Sequence, residues 1–394
     1  MLILVLNAGS SSQKSCLYTL GDSLPSNPPP PLWSAHLDWT KSSDKGILTV
    51  KAKGKKQELA VREKATALKV LLNTLIEGDT QVLTSLKEID VVGHRVVHGG
   101  AKYNQATIID SKVKAVIADL IPLAPNHNPA HLAGIETIEE ILPQIPQVAV
   151  FDTAFHQTIP LPAKVYPLPY EYYLQGIQRY GFHGISHQYC TNRTSQILQQ
   201  PLESLKIVTC HLGNGCSLAA IKNGVCLDTT MGFSPLEGLM MGTRCGSIDP
   251  QIPLYLIEQY GLNVAQVNQI LNKKSGLLGV SGISADMRAI LQAISQGNKQ
   301  ASLAFELYLH RLISYIGAMT ASLNGLDVLV FTAGIGENSS IVRERTCAGL
   351  TYLGVRLDLA KNNSVSRDIN IAREDSAVKI LVIHTQEDWA ICLA

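Results

Sequence analysis

Residues 2–20, LILVLNAGSSSQKSCLYTL, carry the pattern from which the fold is read. Leu2–Leu6 is a short, β-prone apolar run. It ends in a turn-rich cluster from Asn7 to Ser12, and Ser15–Leu20 returns as a second strand with Lys14 at the start of its arm. The same plan recurs in residues 205–224, LKIVTCHLGNGCSLAAIKNG. There Leu205–His211 is a strand, a glycine turn reaches Ser217, and Leu218–Ile221 returns to a turn at Asn223 and Gly224. Two hairpins of one design, far apart in the chain, favour an α/β protein with two similar halves over one large doubly wound sheet. A length of 394 residues suits two domains.

Working outward, residues 21–31 (GDSLPSNPPPP) read as an exposed proline-rich connection. Trp33–Trp39, Gly46–Ala52, Ile89–Val92, Val148–Phe151, Asp327–Phe331 and Ile380–Ile383 read as strands. Helical periodicity covers 65–76, 112–120, 129–142, 186–200, 251–260, 263–272 and 299–323. Asn128 is the expected cap of the third of these, with Pro129 at its first position.

Composition narrows the function. Thirty-three Lys and Arg against 32 Asp and Glu leave a formal net charge of +1, which gives no support for a polyanion-binding surface. Eight cysteines without CxxC spacing suggest neither a zinc site nor a thioredoxin-like motif. They fit reduced thiols in a cytosolic protein. The apolar start is too short for a signal peptide, and no run of about 18 apolar residues suggests a membrane helix.

The chemistry sits in the turns. Asn7, Ser10, Ser12 and Lys14 offer backbone N–H groups, hydroxyls and one cation, as an anion site needs. Gly213 and Gly215 let backbone approach a phosphate closely. Taken alone, each turn also fits a plain hairpin. GxxxxGK[ST] is missing, so this is not a P-loop. Residues 332–339 (TAGIGENS) lack the third glycine of a dinucleotide fingerprint. Arg95 and Arg244 lie in apolar, glycine-rich stretches where a guanidinium is costly unless paired, either structurally or with a carboxylate or phosphate. Asp152 ends a strand, and His183 is crowded by glycines. Glu387 and Asp388 follow a strand, where a carboxylate could hold Mg²⁺ through water or simply mark an acidic helix N-terminus.

Ten segments in order, LNAGSSSQK (6–14), GHRVVHGG (93–100), HNPAH (127–131), FDTAFHQTIP (151–160), RYGFHGISH (179–187), HLGNGCS (211–217), MMGTRCGSIDP (240–250), SGLLGVSG (275–282), FTAGIGENS (331–339) and TQED (385–388), strongly resemble the acetate kinase family over almost the whole chain. The resemblance implies two domains with duplicated ribonuclease-H-like, actin-like ATPase cores and an interdomain active-site cleft. Residues 1–150 would form an acyl-substrate domain, to which about 383–394 return. Residues 151–382 would bind nucleotide and dimerise. The implied reaction is ATP + acetate ⇌ ADP + acetyl phosphate with Mg²⁺, or Mn²⁺ in its place, in a cytoplasmic homodimer.

By the same resemblance, Asn7 and Glu387 hold the metal, while Lys14, with Ser10 and Ser12, approaches the phosphates. Arg95 binds the carboxylate beside an acyl pocket of Val97, Asn126, Phe182 and Pro235. His183 and Arg244 stabilise the transferring phosphoryl group. The nucleotide would be surrounded by His211, Leu212, Gly213, Asn214 and Gly215, by Asp286, Met287 and Arg288, and by Gly334, Ile335, Gly336, Glu337 and Asn338. Asp152 matches the family's acid/base position. Orienting Arg95 or a metal-bound water is the more physical role, since acetate is already ionised at pH 7. A propionate kinase is the near rival. A non-kinase ATPase or a sugar kinase of the same superfamily would have less use for two arginines and a histidine.

The chain departs from the family pattern at four positions. Asn126 stands where Leu is usual, Ser247 where Asp is common, Ala333 for Gly and His131 for Asn. A polar Asn126 in the acyl wall would shrink or wet the methyl pocket. Asn126→Leu is therefore expected to shift the acetate/propionate ratio of kcat/KM. Steady-state kinetics on both acids check this, and an unchanged ratio would mean that Asn126 faces away from the pocket.

Overall fold

The computed structural model describes residues 1–9, 12–39, 45–125, 127–365 and 368–394. They form two compact units, Met1–Ala154 with Gln386–Ala394, and Phe155–Thr385.

The first unit is built on a sheet of eight strands: β1 (Leu2–Ala8), β2 (Ser12–Thr19), β3 (Trp33–Asp38), β4 (Gly46–Ala52), β5 (Lys55–Val61), β6 (Val91–Val96), β7 (Thr107–Ile108) and β8 (Gln147–Phe151). Their spatial order is β5-β4-β3-β2-β1-β6-β8-β7. β1 to β5 are an antiparallel meander, whereas β1, β6 and β8 run parallel. The second unit holds β9 (Lys206–Leu212), β10 (Cys216–Lys222), β11 (Val225–Thr229), β12 (Val328–Thr332), β13 (Ile369–Asn370) and β14 (Lys379–Val382), in the order β11-β10-β9-β12-β14-β13. Again the first three strands are antiparallel, and β9, β12 and β14 run parallel. The order β3-β2-β1-β6-β8 thus repeats as β11-β10-β9-β12-β14. The duplication that the two hairpins suggest is plain in the topology.

Burial follows from this order. β12, central in its sheet, is buried at every position from Val328 to Thr332, as a strand covered on both faces must be. In the first unit Leu4, Leu17, Leu37 and Leu48 on the strands pack with Leu71, Leu72 and Leu75 of the helix Ala67–Ile76. The opposite face receives the C-terminal helix Glu387–Leu393. It comes so close at Gly93 that an added Cβ would sit 3.0 Å from Ile391 Cγ2. Trp389 meets Tyr18 edge-on at 5.3 Å between ring centroids.

Asn128 is not the cap of its helix. It is the first residue of the helix Asn128–Ile141, whose N-cap is His127. Its buried amide instead accepts from His98 N and donates to the carbonyls of His98 and Ile117. Holding the loop after β6 won over capping, because an unpaired backbone group buried there would cost more than a solvated helix end. β5, β7, β11 and β13 also lie outside the expected strands. They are short or charged, and none carries a long apolar run.

Trp389 buries its ring in the first unit although it lies near the far end of the chain. Trp389→Ala is expected to destabilise the protein by about 3–5 kcal/mol. Urea unfolding followed by circular dichroism checks it, and an unchanged midpoint would mean that this helix is dispensable to the first unit.

Candidate functional site

In the first unit the parallel register of β1, β6 and β8 brings three polar groups together at the strands' carboxyl ends. Arg95, on β6, donates through Nη2 to Asp152 Oδ2 at 2.6 Å and through Nε to Asp152 Oδ1 at 3.1 Å. Its Nη1 donates to Asn7 Oδ1 at 3.3 Å. The side chains of Arg95 and Asp152 are 16% and 3% exposed, so the pair is desolvated. Burial alone would lower the Arg95 pKa, but Asp152, Glu387 and Asp388 outweigh it and raise it above the usual guanidinium value. These bonds use the side-on fork of the guanidinium and leave its outward pair of N–H groups.

Asn7 is buried at the end of β1 and lies directly across from Lys14 in the hairpin register. Its amide nitrogen donates to Asp388 Oδ1 at 2.9 Å and to Glu387 Oε2 at 3.3 Å. Burial raises the Asp388 pKa, while Asn7 and Lys14 pull it back. Among the described residues no group of three or more His, Cys, Asp or Glu could by itself enclose a metal. The oxygens that converge are the carboxylates of Glu387 and Asp388, since the Asn7 amide turns its nitrogen to them and its oxygen to Arg95. Two carboxylates fit Mg²⁺, which takes one or two protein ligands and completes its shell with water and phosphate.

Behind Arg95 the loop of residues 97–100 is fastened by three partners. Asn128 binds His98, His131 Nδ1 accepts from Val97 N at 3.4 Å, and Thr153 Oγ1 accepts from Gly99 N at 3.2 Å. His131 Nε2 lies 3.0 Å from Ala8 O, so this ring ties the loop after β6 to the turn after β1. Burial pushes the His131 pKa down to about 3, so the ring is neutral. Gly99 packs against Phe151, and an added Cβ would stand 2.6 Å from Phe151 Cδ1.

In the second unit the β9–β10 turn is the organising element. Gly213 N donates to Gly215 O at 3.0 Å, and Gly242 N donates to Asn214 O at 3.0 Å, which docks the turn on the segment that carries Arg244. A Cβ on Gly215 would lie 3.0 Å from Arg244 Nη2 and 3.5 Å from His183 Nε2. His183 takes the left-handed conformation, φ 58°, at the N-cap of the helix Gly184–Leu198. Its ring stacks on His211 at 4.1 Å, and its Nδ1 is 2.8 Å from Ser217 Oγ.

Arg244 differs from Arg95. Its Nη1 donates to Pro235 O at 2.6 Å, and among the described residues no Asp or Glu pairs with it. Burial lowers its pKa, opposed by Cys216 alone. A half-buried guanidinium without a carboxylate is a costly arrangement that an anionic ligand would relieve.

The other residues singled out in the sequence fall as follows. Phe182 is buried, and its carbonyl lies 2.9 Å from His156 Nε2. Val97 belongs to the first unit, and Phe182 and Pro235 to the second. His211 and Leu212 are buried at the end of β9. Asp286 caps the helix Met287–Ser295 by accepting from Arg288 N, and Arg288 folds back onto it through a 2.6 Å ion pair. Met287 is buried beneath them. Gly334, Ile335, Gly336, Glu337 and Asn338 lie in the short helix Ala333–Asn338. There Glu337 accepts from Ala333 N at 2.9 Å and Thr385 N at 3.1 Å and pairs with His384 at 2.5 Å. Ala333 itself sits at φ 64°, where an L side chain costs about 1–2 kcal/mol. Ser10 and Asn126 lie outside the described residues.

Two features go beyond the sequence reading. Asp388, named there beside Glu387, shares the Asn7 amide with it. Asn128 and His131 act together on the loop after β6, and their spacing on one helix face could have pointed to it.

The chain matches the sequence model described as the acetokinase family over residues 2–393. It is 60% identical to the acetate kinase of Gloeothece citriformis, covering 99% of this chain and 97% of that one. Among solved structures it resembles Porphyromonas gingivalis acetate kinase, with 41% identity, TM-score 0.90 and coverage of 100% of this chain and 98% of that one. It also resembles a propionate kinase from Francisella tularensis, with 38% identity, TM-score 0.89 and coverage of 99% and 97%.

The Arg95–Asp152 pair generates a prediction about coupling. Asp152→Ala strands a buried guanidinium and should cost about 3–5 kcal/mol. Arg95→Ala with Asp152→Ala should cost clearly less than the sum of the single changes. Urea unfolding of all four proteins checks it, and strict additivity would show that the two groups do not depend on each other.

Proposed function

The chain belongs to the acetokinase family, and we propose that its two units divide the phosphorylation of acetate by ATP between them. The activity is reversible transfer of the γ-phosphoryl group of ATP to acetate, giving ADP and acetyl phosphate. A divalent cation accompanies the nucleotide.

The observation that carries the division is the contrast between the arginines. Arg95 is oriented by Asp152 and keeps its outward N–H pair, which suits the carboxylate of acetate. Acetate is ionised at neutral pH, so no base is needed. Asp152 then acts by holding Arg95 charged and aimed. Arg244 stands beside the glycine turn without a carboxylate partner, and His183 faces the same glycine. In phosphoryl transfer, charge spreads over the equatorial oxygens, and fixed donors aimed there lower the barrier. We assign Arg244 and His183 to those oxygens.

The turn of residues 211–215, with 286–288 and 334–338, is assigned to ATP, and Lys14 with Ser10 and Ser12 to its phosphates. Asn7 and Glu387 would hold Mg²⁺, which neutralises charge on the phosphate oxygens when bound. The family resemblance assigns Val97, Asn126, Phe182 and Pro235 to the methyl group of acetate. One methylene is worth about 1–3 kcal/mol in such a pocket, so propionate is the second reading, supported by the likeness to a propionate kinase. The family resemblance suggests a homodimer. Leu254, Tyr255 and Tyr260, large and exposed on the helix Gln251–Tyr260 of the second unit, support a buried partner face there. Eight free thiols suit the cytoplasm.

Hydroxylamine trapping of acyl phosphate from acetate, propionate and butyrate tests the reading, with acetate expected to give the highest kcat/KM. In the same assay Arg244→Ala should lower kcat by about 100-fold or more while ATP binding changes little. Near-normal turnover in that variant would remove Arg244 from the transition state.

A further inference from the structure

Behind His183 lies a chain of buried polar groups that the reaction does not obviously need. Ser217 Oγ, on β10, is 2.8 Å from His183 Nδ1 and 2.8 Å from His187 Nε2. The other nitrogen of His187, Nδ1, is 2.7 Å from Thr209 Oγ1 on β9. Thr209, His187 and Ser217 have no exposed surface.

Hydrogen-bond accounting gives this chain a direction. The Thr209 hydroxyl is buried, and His187 Nδ1 is its one acceptor among the described residues. It must donate there or be left a buried donor without a partner. His187 is neutral, since burial, with His156 and His211 nearby, pushes its pKa well below the usual value. A neutral ring that accepts at Nδ1 carries its proton at Nε2, and it donates that proton to Ser217 Oγ. The hydroxyl proton of Ser217 is then directed at His183 Nδ1. His183, accepting there, carries its own proton at Nε2, the atom that lies beside Gly215 and Arg244.

We propose that Thr209, His187 and Ser217 are positioning residues that hold His183 in its Nε2–H form, so that it presents a fixed hydrogen-bond donor beside Arg244. The inference rests on the role given to His183 above, which it deepens. A relay from a hydroxyl deep in the sheet delivers a donor without a net charge. That matters beside a buried guanidinium, where a second cation would be repelled.

Two neighbouring rings have hydrogen bonds of their own. His211 stacks on His183, but its own Nδ1 pairs with Ser186 Oγ at 2.8 Å. His156 meets the His187 ring edge-on at 5.7 Å. Its Nε2 faces the Phe182 carbonyl, which can only accept, so its proton is on Nε2, and its bare Nδ1 lies 3.2 Å from Cys226 Sγ. His156 therefore fixes the backbone just before His183 and does not intrude on the relay.

The test is spectroscopic first. In ¹⁵N-histidine-labelled protein at pH 7, two-bond ¹H–¹⁵N correlations report which nitrogen of each ring is protonated, and loss of signals in His183→Gln identifies that ring. The expected result is a bare Nδ1 and a protonated Nε2 on His183. An Nδ1–H tautomer or an imidazolium would overturn the proposal, and this readout needs no variant other than the one used for assignment. Thr209→Val, which keeps the shape and removes the donor, should shift the His183 tautomer. It should also lower kcat by at least about tenfold while leaving the KM for acetate within about twofold. Thr209→Ser should restore both. Thr209→Val with wild-type kcat and an unchanged His183 spectrum would also overturn it. A full-activity His183→Ala enzyme would instead refute the role of His183, and the tautomer measurement would stand apart from that failure.

Discussion

The parallel register of β1, β6 and β8 is the constraint on which the first unit's chemistry depends. It sets Leu6 beside His94 and Arg95 beside Val150, so the carboxyl ends of three strands meet at one place. Asn7, Arg95 and Asp152, 88 and 57 positions apart, become hydrogen-bonded neighbours there. A one-residue slip would turn every side chain to the opposite face. The apolar alternation of the strands holds the register, because the Leu4 and Leu6 face is committed to the core. The same hydrophobic pattern that folds the sheet therefore also aims the polar groups.

Two half-buried arginines, Arg95 and Arg244, show how differently one charge can be accommodated. Arg95 is matched by a carboxylate inside the protein, and its charge is stabilised. Arg244 has a carbonyl partner and no carboxylate among the described residues, and burial works against its charge. Leaving a guanidinium in that condition costs stability, and proteins tolerate such costs where a ligand will meet the group. On the proposed assignment the paired arginine is a fixed clamp, and the other is completed electrostatically by an anionic ligand.

Much of this was legible in the sequence, and what was not has physical causes. The long helix Lys299–Leu323 and the two hairpins follow from periodicity and turn chemistry, which are local. The edge strand Lys55–Val61 was missed because its pattern, KKQELAV, is charged and half exposed, and only its neighbour β4 makes it a strand. Asn128 was misread because a cap is a local expectation, whereas its amide answers a demand from the loop after β6. The proximity of Asn7, Arg95 and Asp152 cannot be derived from any one segment. It came from the resemblance of ordered motifs, and the strand register supplies its cause. The relay behind His183 was beyond reach for the same reason, since Thr209 and Ser217 read as ordinary strand residues until their partners are known.

The duplicated topology allows a last comparison, between equivalent stations of the two sheets. β6 corresponds to β12 and β8 to β14. At the end of β6 and after β8 the first unit places Arg95 and Asp152. After β12 and β14 the second unit places Glu337 and His384, with the carboxylate now following the first strand of the pair and an imidazole the second. Each pair ties the ends of two parallel strands together. In the first unit the cation is left with donors to spare. In the second the carboxylate is consumed by Ala333 N, Thr385 N and His384, and it steadies a helix that begins on a left-handed alanine. One architecture thus yields, on the proposed assignment, a binding clamp in one unit and a structural strut in the other. The cation proposed to meet phosphate in the second unit, Arg244, lies outside the sheet, so the proposed anion site there is built from a docked loop and a glycine turn rather than from strand ends.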